Sequence, residues 1–248
     1  TYSVVLGDVN GDGHLDLVAG SGDVTNKLYL NSGSGAFFNA GTAGTPIGNE
    51  TDNTRSVVLG DVNGDGHLDL VAGNNGQTNK LYLNDGTSVN GGFTAGTGTA
   101  IGIETDYTRS VVLGDVNGDG HLDLVAGNDG GTNKLYLNSG SGAFFNAGTA
   151  GTAIGSETDG TLSVVLGDVD GDGDLDLVPG NWDVTNKLYL NDGSGGFTAG
   201  TGTAIGSDTD LTYSVVLGDV DGDGDLDLVA GNYNQTNKLY LNDGSGGF

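Results

Sequence analysis

Asp8-Val9-Asn10-Gly11-Asp12-Gly13-His14-Leu15-Asp16-Leu17-Val18-Ala19-Gly20 is the stretch on which the reading of this chain turns. Oxygen-bearing side chains stand at alternate positions from Asp8 to Asp12, and Gly13 sits where such a loop must turn back. Calcium takes roughly six to eight oxygen ligands, and loops that supply them space their donors this way around a glycine. The pattern D-V-[ND]-G-D-G-[HD]-L-D returns from Asp61, Asp115, Asp168 and Asp219, each time followed by L-V-[AP]-G. Successive copies begin 53, 54, 53 and 51 residues apart, so one supersecondary unit is repeated five times. The units run approximately 1–50, 51–104, 105–157, 158–208 and 209–248. Units of this size cannot bury an apolar face alone, so a single domain over 1–248 is expected.

In the first unit Asp8, Asn10 and Asp12 offer side-chain oxygens at loop positions 1, 3 and 5. His14 offers its backbone carbonyl at position 7, and Asp16 closes the loop at position 9. The counterparts are Asp61, Asn63, Asp65, His67 and Asp69, then Asp115, Asn117, Asp119, His121 and Asp123. The last two sets are all aspartate: Asp168, Asp170, Asp172, Asp174 and Asp176, then Asp219, Asp221, Asp223, Asp225 and Asp227. About five calcium ions are therefore expected, with water completing each shell. An EF-hand would need a bidentate glutamate at position 12, where this chain has Ala19, Ala72, Ala126, Pro179 and Ala230. Asp16 stands between Leu15 and Leu17 in a strand-like run, where an uncompensated carboxylate is costly; a metal accounts for it. Units four and five carry more ligand charge and should bind more tightly. The three histidines occupy the carbonyl-donating position, and their rings are expected in solvent rather than at a catalytic or zinc site.

There are 33 acidic and 7 basic residues, a formal charge of −26, and 17 of the acids lie at coordinating positions. Five dications would bring the charge to about −16. With no basic patch, nucleic acid and anionic membrane are excluded as partners. Apolar runs are too short for a helix to span a bilayer. No charged-then-apolar leader opens the sequence, as expected of a processed secreted form. Cysteine is absent, which is neutral on compartment. Extracellular calcium modules bind at about 10⁻⁴–10⁻³ M, so the loops point to an extracellular or cell-surface location.

In the second unit, residues 56–59 and 68–72 read as strands flanking the calcium loop. A variable turn at 74–78 leads to a third strand at 80–84, and 93–101 reads as a weak, threonine-rich fourth. Regular turn chemistry between runs of 4–8 residues marks an all-β chain, and no segment has helical apolar spacing. Four short antiparallel strands in tandem describe propeller blades, whereas a β-solenoid would use shorter rungs. D-V-N-G-D-G-H-L-D-L-V-A-G followed by N-K-L-Y-L-N resembles the FG-GAP/VCBS repeat of integrin α-subunit propellers, fungal propeller lectins and bacterial surface proteins. The resemblance covers essentially the whole chain and implies a β-propeller of five tandem four-stranded blades. Such propellers more often have six to eight, so five blades are a departure from the family pattern. The fifth unit stops at Phe248, aligned with Phe93 and Phe197, so its last blade reads as incomplete.

Two connections vary between units: the turn from strand two to three, and the entry into strand one. Both open away from the calcium hairpins and carry Trp182, Tyr233, Tyr107, Leu211, Tyr213, Arg55 and Arg109. Aromatic platforms beside Asn and Asp suit carbohydrate or peptide, so Trp182, Tyr233, Tyr107, Arg55 and Arg109 form a candidate ligand face. Lys27, Lys80, Lys134, Lys187 and Lys238 open strand three in every unit and are expected to pair with local carboxylates. Residues 31–45 and 138–152 are identical, which suggests an amplified array. No nucleophile–base set or phosphate loop stands apart from the calcium frames, so no enzyme is expected. The chain reads as an extracellular calcium-binding scaffold that associates head to tail through the bare edge of the last blade, or meets a surface protein. The alternative is a lectin-like module using the variable face to bind a surface glycan.

Overall fold

The computed structural model describes residues 1–33, 43–87, 89–93, 96–140, 148–197 and 200–248. Among them the chain is all-β, relieved by a single 3₁₀ turn over Val89–Gly92. It forms two compact units, residues 1–111 with 138–150, and residues 112–137 with 151–248.

The first blade is β1 (Ser3–Gly7), β2 (Asp16–Gly20), β3 (Asn26–Tyr29) and β4 (Thr45–Ile47), hydrogen-bonded in chain order. The second is β5 (Thr54–Gly60), β6 (Asp69–Asn74), β7 (Asn79–Tyr82) and β8 (Thr99–Ile101), in the same order. The third follows with β9 (Thr108–Gly114), β10 (Asp123–Asn128), β11 (Asn133–Tyr136) and β12 (Thr152–Ile154). In the fourth, β13 (Gly160–Gly167) pairs with β14 (Asp176–Trp182), and β15 (Lys187–Leu188) pairs with β16 (Thr203–Ala204). Reciprocal backbone bonds between Leu177 and Tyr189, at 3.0 and 2.9 Å, join these halves. The fifth has β17 (Thr212–Gly218), β18 (Asp227–Asn232) and β19 (Lys238–Tyr240). The four-stranded propeller blade with a three-stranded last copy is thus the observed architecture.

The fourth strand is shorter than expected. In the second blade it begins at Thr99 rather than at Phe93, which makes only an isolated bridge to Asn84. Phe93 instead packs against the apolar residues shared by blades one and two. Part of the stretch repeated at 31–45 and 138–152 lies outside the described residues.

The core lies between successive blades rather than within them. Val9, Val18 and Leu28 of the first blade pack with Val57, Leu59, Leu68 and Leu70 of the second. Val169, Val178 and Leu188 of the fourth pack with Val215, Leu217, Leu226 and Leu228 of the fifth. The second strands β6 and β10 are therefore buried along their whole length.

Candidate metal centre

Each metal loop joins the first two strands of its blade, and its fold is written by side chains accepting backbone N–H groups. In the first blade Asp8 Oδ1 accepts from Asp12 N at 3.1 Å, and Asp8 Oδ2 accepts from Gly13 N at 2.8 Å. Asn10 Oδ1 accepts from Asp12 N at 3.0 Å, and Asp12 Oδ1 from His14 N at 2.9 Å. The chain can coil this tightly because Gly11 and Gly13 have φ of 72° and 87°, values that side-chain-bearing residues avoid. The result is a set of aspartate and asparagine oxygens held at a common turn.

The closing aspartates Asp16, Asp69, Asp123, Asp176 and Asp227 are buried, and here the sequence expectation needs correction. Backbone amides compensate them. Asp16 Oδ2 accepts from Val9 N at 3.1 Å, and Oδ1 from Asn31 N at 2.7 Å. The same pair of amides serves Asp69 through Val62 and Asn84, Asp176 through Val169 and Asn191, and Asp227 through Val220 and Asn242. Burial still dominates at Asp16, whose pKa it raises, and at Asp69 and Asp176, which it pushes up to about 6. In Asp227 the amides of Asn242 and Val220 prevail and lower the pKa.

Asparagine and aspartate at position 3 create two kinds of loop. In the first three blades Asn10, Asn63 and Asn117 donate from Nδ2 to the neighbouring Asp12, Asp65 and Asp119, at 3.0, 2.8 and 3.1 Å. In the last two no such donor exists. There Asp168, Asp170 and Asp176, and likewise Asp219, Asp221 and Asp227, bring carboxylate oxygens within 4.8 Å of one another. Burial first, then like charge from Asp172 and Asp168, raises the pKa of Asp170. Three convergent carboxylates with hard oxygen donors fit a hard divalent cation, and calcium's flexible shell suits a loop without fixed octahedral geometry.

The residue at position 7 has a role that was not anticipated. A Cβ placed on Gly33 would lie 2.1 Å from His14 Nε2, and one on Gly86 would lie 2.2 Å from His67 Nε2. Asp174 and Asp225 occupy the same place against Gly193 and Gly244. The imidazoles of His14, which is exposed, and His67, which is half-buried, therefore lie over the turn after strand three.

Sequence reasoning also missed the asparagine ending each Y-L-N run. Asn84 Nδ2 donates to the carbonyls of Val9 at 2.7 Å and Leu68 at 3.2 Å, so it ties its own blade to the preceding metal loop. Asn138, Asn191 and Asn242 do the same to Val62, Val116 and Val169. Recurrence in every unit was the available signal, but the partner lies some 75 residues upstream.

Of the candidate ligand face, the structure brings together Trp182 and Tyr233. Tyr213 lies between them, its ring centroid 5.9 Å from that of Trp182 and 5.4 Å from that of Tyr233. All three are about half exposed, at the strand ends away from the metal loops. Arg55 instead stacks its guanidinium 3.8 Å over the ring of Tyr2, a residue the sequence had not singled out. Tyr107 is exposed beside Gly76. Of the lysines, Lys238 pairs with Asp208 at 3.2 Å.

The sequence profile described as an FG-GAP-like repeat matches residues 8–72, 61–126, 115–178 and 180–230. Cartilage acidic protein 1 of Homo sapiens is 33% identical over 82 residues, which make up 33% of this chain and 12% of that protein. The chain thus spans only a small part of that curated relative. Among solved structures, an Agrocybe aegerita lectin described for specific recognition of non-reducing terminal N-acetylglucosamine is similar with a TM-score of 0.64 and 22% identity. That similarity covers 99% of this chain and 64% of the lectin. The V. cholerae biofilm matrix protein Bap1 is similar with a TM-score of 0.52 at 17% identity, over 92% of this chain and 34% of its own. At such identities the likeness speaks for the fold alone.

Proposed function

The chain belongs to the FG-GAP-like repeat family, and on that premise we propose that it is a calcium-stiffened structural or adhesive module working outside the cell. The observation that carries this reading is the convergence of three carboxylates in blades four and five with no cationic side chain in either loop. Asp168, Asp170, Asp172 and Asp176 would hold one ion, and Asp219, Asp221, Asp223 and Asp227 another. Blades one to three would use Asp8, Asn10, Asp12 and Asp16 and their counterparts, joined by the position 7 carbonyl. The ion supplies positive charge and fixed coordination, locking each hairpin; the proposal assigns the chain no catalysis. Sites of millimolar or submillimolar affinity fill outside cells and not in a resting cytosol, which supports the extracellular placement. Scanning calorimetry with EDTA and with millimolar calcium tests it. The melting temperature is expected to rise in calcium, and an unchanged value overturns the proposal.

A second reading rests on its own observation, the half-exposed Trp182–Tyr213–Tyr233 cluster. Sugar rings present apolar faces that stack on such surfaces, with the flanking polar groups reading hydroxyls. Glycan-array binding lost in Trp182→Ala, with melting unchanged, would make the chain a lectin-like module. The similar fold of an N-acetylglucosamine-binding lectin supports trying that sugar first.

A further inference from the structure

An asparagine followed by glycine is open to attack from its own backbone, because glycine puts no Cβ in the way of its nitrogen. Four such pairs have described side chains: Asn10-Gly11, Asn63-Gly64, Asn75-Gly76 and Asn117-Gly118. Three of them stand at position 3 of a metal loop, where blades four and five carry Asp170 and Asp221.

The loop pairs share a geometry that the pair at Asn75 lacks. Asn10 Oδ1 accepts from Asp12 N at 3.0 Å, Asn63 Oδ1 from Asp65 N at 2.9 Å and Asn117 Oδ1 from Asp119 N at 3.1 Å. Each bond polarises the side-chain carbonyl and stabilises the negative charge that gathers on its oxygen under attack. Gly11, Gly64 and Gly118 are exposed, and a Cβ on any of them would meet nothing within 4 Å. The asparagine side chain thus has room to swing onto the glycine nitrogen. Gly64 N also donates to Asp61 Oδ1 at 2.8 Å, which should slow the second loop. At Asn75 the arrangement is reversed. Its Oδ1 is buried without a donor, Gly76 N is committed to Asp106 O at 2.9 Å, and Tyr107 stands 3.2 Å from the place of a Cβ on Gly76.

We propose that Asn10 and Asn117, and more slowly Asn63, are modification sites at which the ion-free loop deamidates itself. The glycine N–H gives its proton to solvent base, and its nitrogen attacks the asparagine Cγ. A C–N bond forms, the Cγ–Nδ2 bond breaks, and Nδ2 leaves as ammonia with a proton from solvent. Water then opens the cyclic imide. Opening at Cγ leaves aspartate, and opening at the backbone carbonyl leaves isoaspartate, whose main chain runs through Cβ. The first product has the D-V-D-G-D-G sequence of blades four and five; the second moves the following aspartate out of register. In a filled loop the asparagine oxygen is committed to the ion and Cγ is kept off the glycine nitrogen, so modification is suppressed. The deamidation stands on the loop chemistry alone, and only its suppression rests on the calcium reading.

Incubation of the full chain at mildly alkaline pH, in EDTA and in millimolar calcium, followed by peptide mapping with mass spectrometry, tests the inference. In EDTA the peptides holding Asn10 and Asn117 should gain the mass of an amide-to-acid change at least about tenfold faster than the one holding Asn75. Asn10→Asp supplies the aspartyl standard from which isoaspartate is told apart by retention. Calcium should slow both sites at least about fivefold, as expected of submillimolar affinity. No gain at Asn10 and Asn117, or a gain no faster than at Asn75, overturns the inference. Equal rates in calcium and EDTA overturn it too, and melting of the same samples then separates the two readings, since a rise with calcium leaves the calcium proposal standing.

Discussion

Two aspartates, Asp69 and Asp176, sit where burial opposes ionisation and two backbone amides support it, and burial prevails, with both pushed up to about 6. In the ion-free protein these groups hold protons more tightly than the unfolded chain does at an ordinary 3.8. Their contribution to stability is therefore fully present below about pH 4 and is lost as pH rises through about 6, by at most about 3 kcal/mol per residue. Calcium binding is expected to displace those protons. In EDTA the melting temperature is expected to fall between pH 4 and 7, and in saturating calcium that fall should disappear. Titration calorimetry in buffers of different ionisation heat should register proton release on binding near pH 6. At this scale the alternation of oxygen-bearing side chains that builds the turn was legible in Asp8, Asn10 and Asp12. The amides on Asp16 were not, because Asn31 meets it only after strands two and three have turned back. Nor was the seat of the His14 ring on Gly33, a contact made by the fold rather than by spacing.

At the level of strands and turns, glycine in the run L-V-[AP]-G is the least obvious participant. Read alone, Gly73 looks like a strand terminator. In the structure it lets Val111 and Thr108 of the following blade approach to 2.8 and 3.0 Å of where a Cβ would be. Both intruding side chains are β-branched and stiff. Gly73→Ala is expected to cost about 1–3 kcal/mol, measured by chemical denaturation in calcium. The equivalent change Gly231→Ala should cost little in a monomer. Strand existence and order were legible from apolar runs and turn residues, apart from the fourth strand. Thr99–Ile101 is short and pairs with β7 only over Asn79, Lys80 and Leu81, so its threonine-rich approach spread the apparent strand back to Phe93.

Across the whole chain the five loops are not equivalent. Blades one to three place an amide where blades four and five place a carboxylate, and the amide already satisfies its neighbour. Calcium titration should resolve two tighter sites and three weaker ones, and stepwise chelation should empty the weaker three first. Asp170→Asn together with Asp221→Asn should merge the two classes by weakening the tight one. That expected ranking follows from the distribution of charge in the sequence. The differing exposure of Val4 and Val57 was not foreseeable, because they are the same residue in the same motif and differ only in what covers them.

From the second blade on, the asparagine closing the Y-L-N run reaches the loop before its own. Its N–H holds the buried aspartate of its own blade, and its side-chain amide holds a carbonyl in the loop before. Ion occupancy of one loop is therefore expected to be felt at the next through a single residue. Loading should run along the repeats as a zipper does, each ion easing the entry of its neighbour, and rigidity should propagate as a property of the series rather than of any one member.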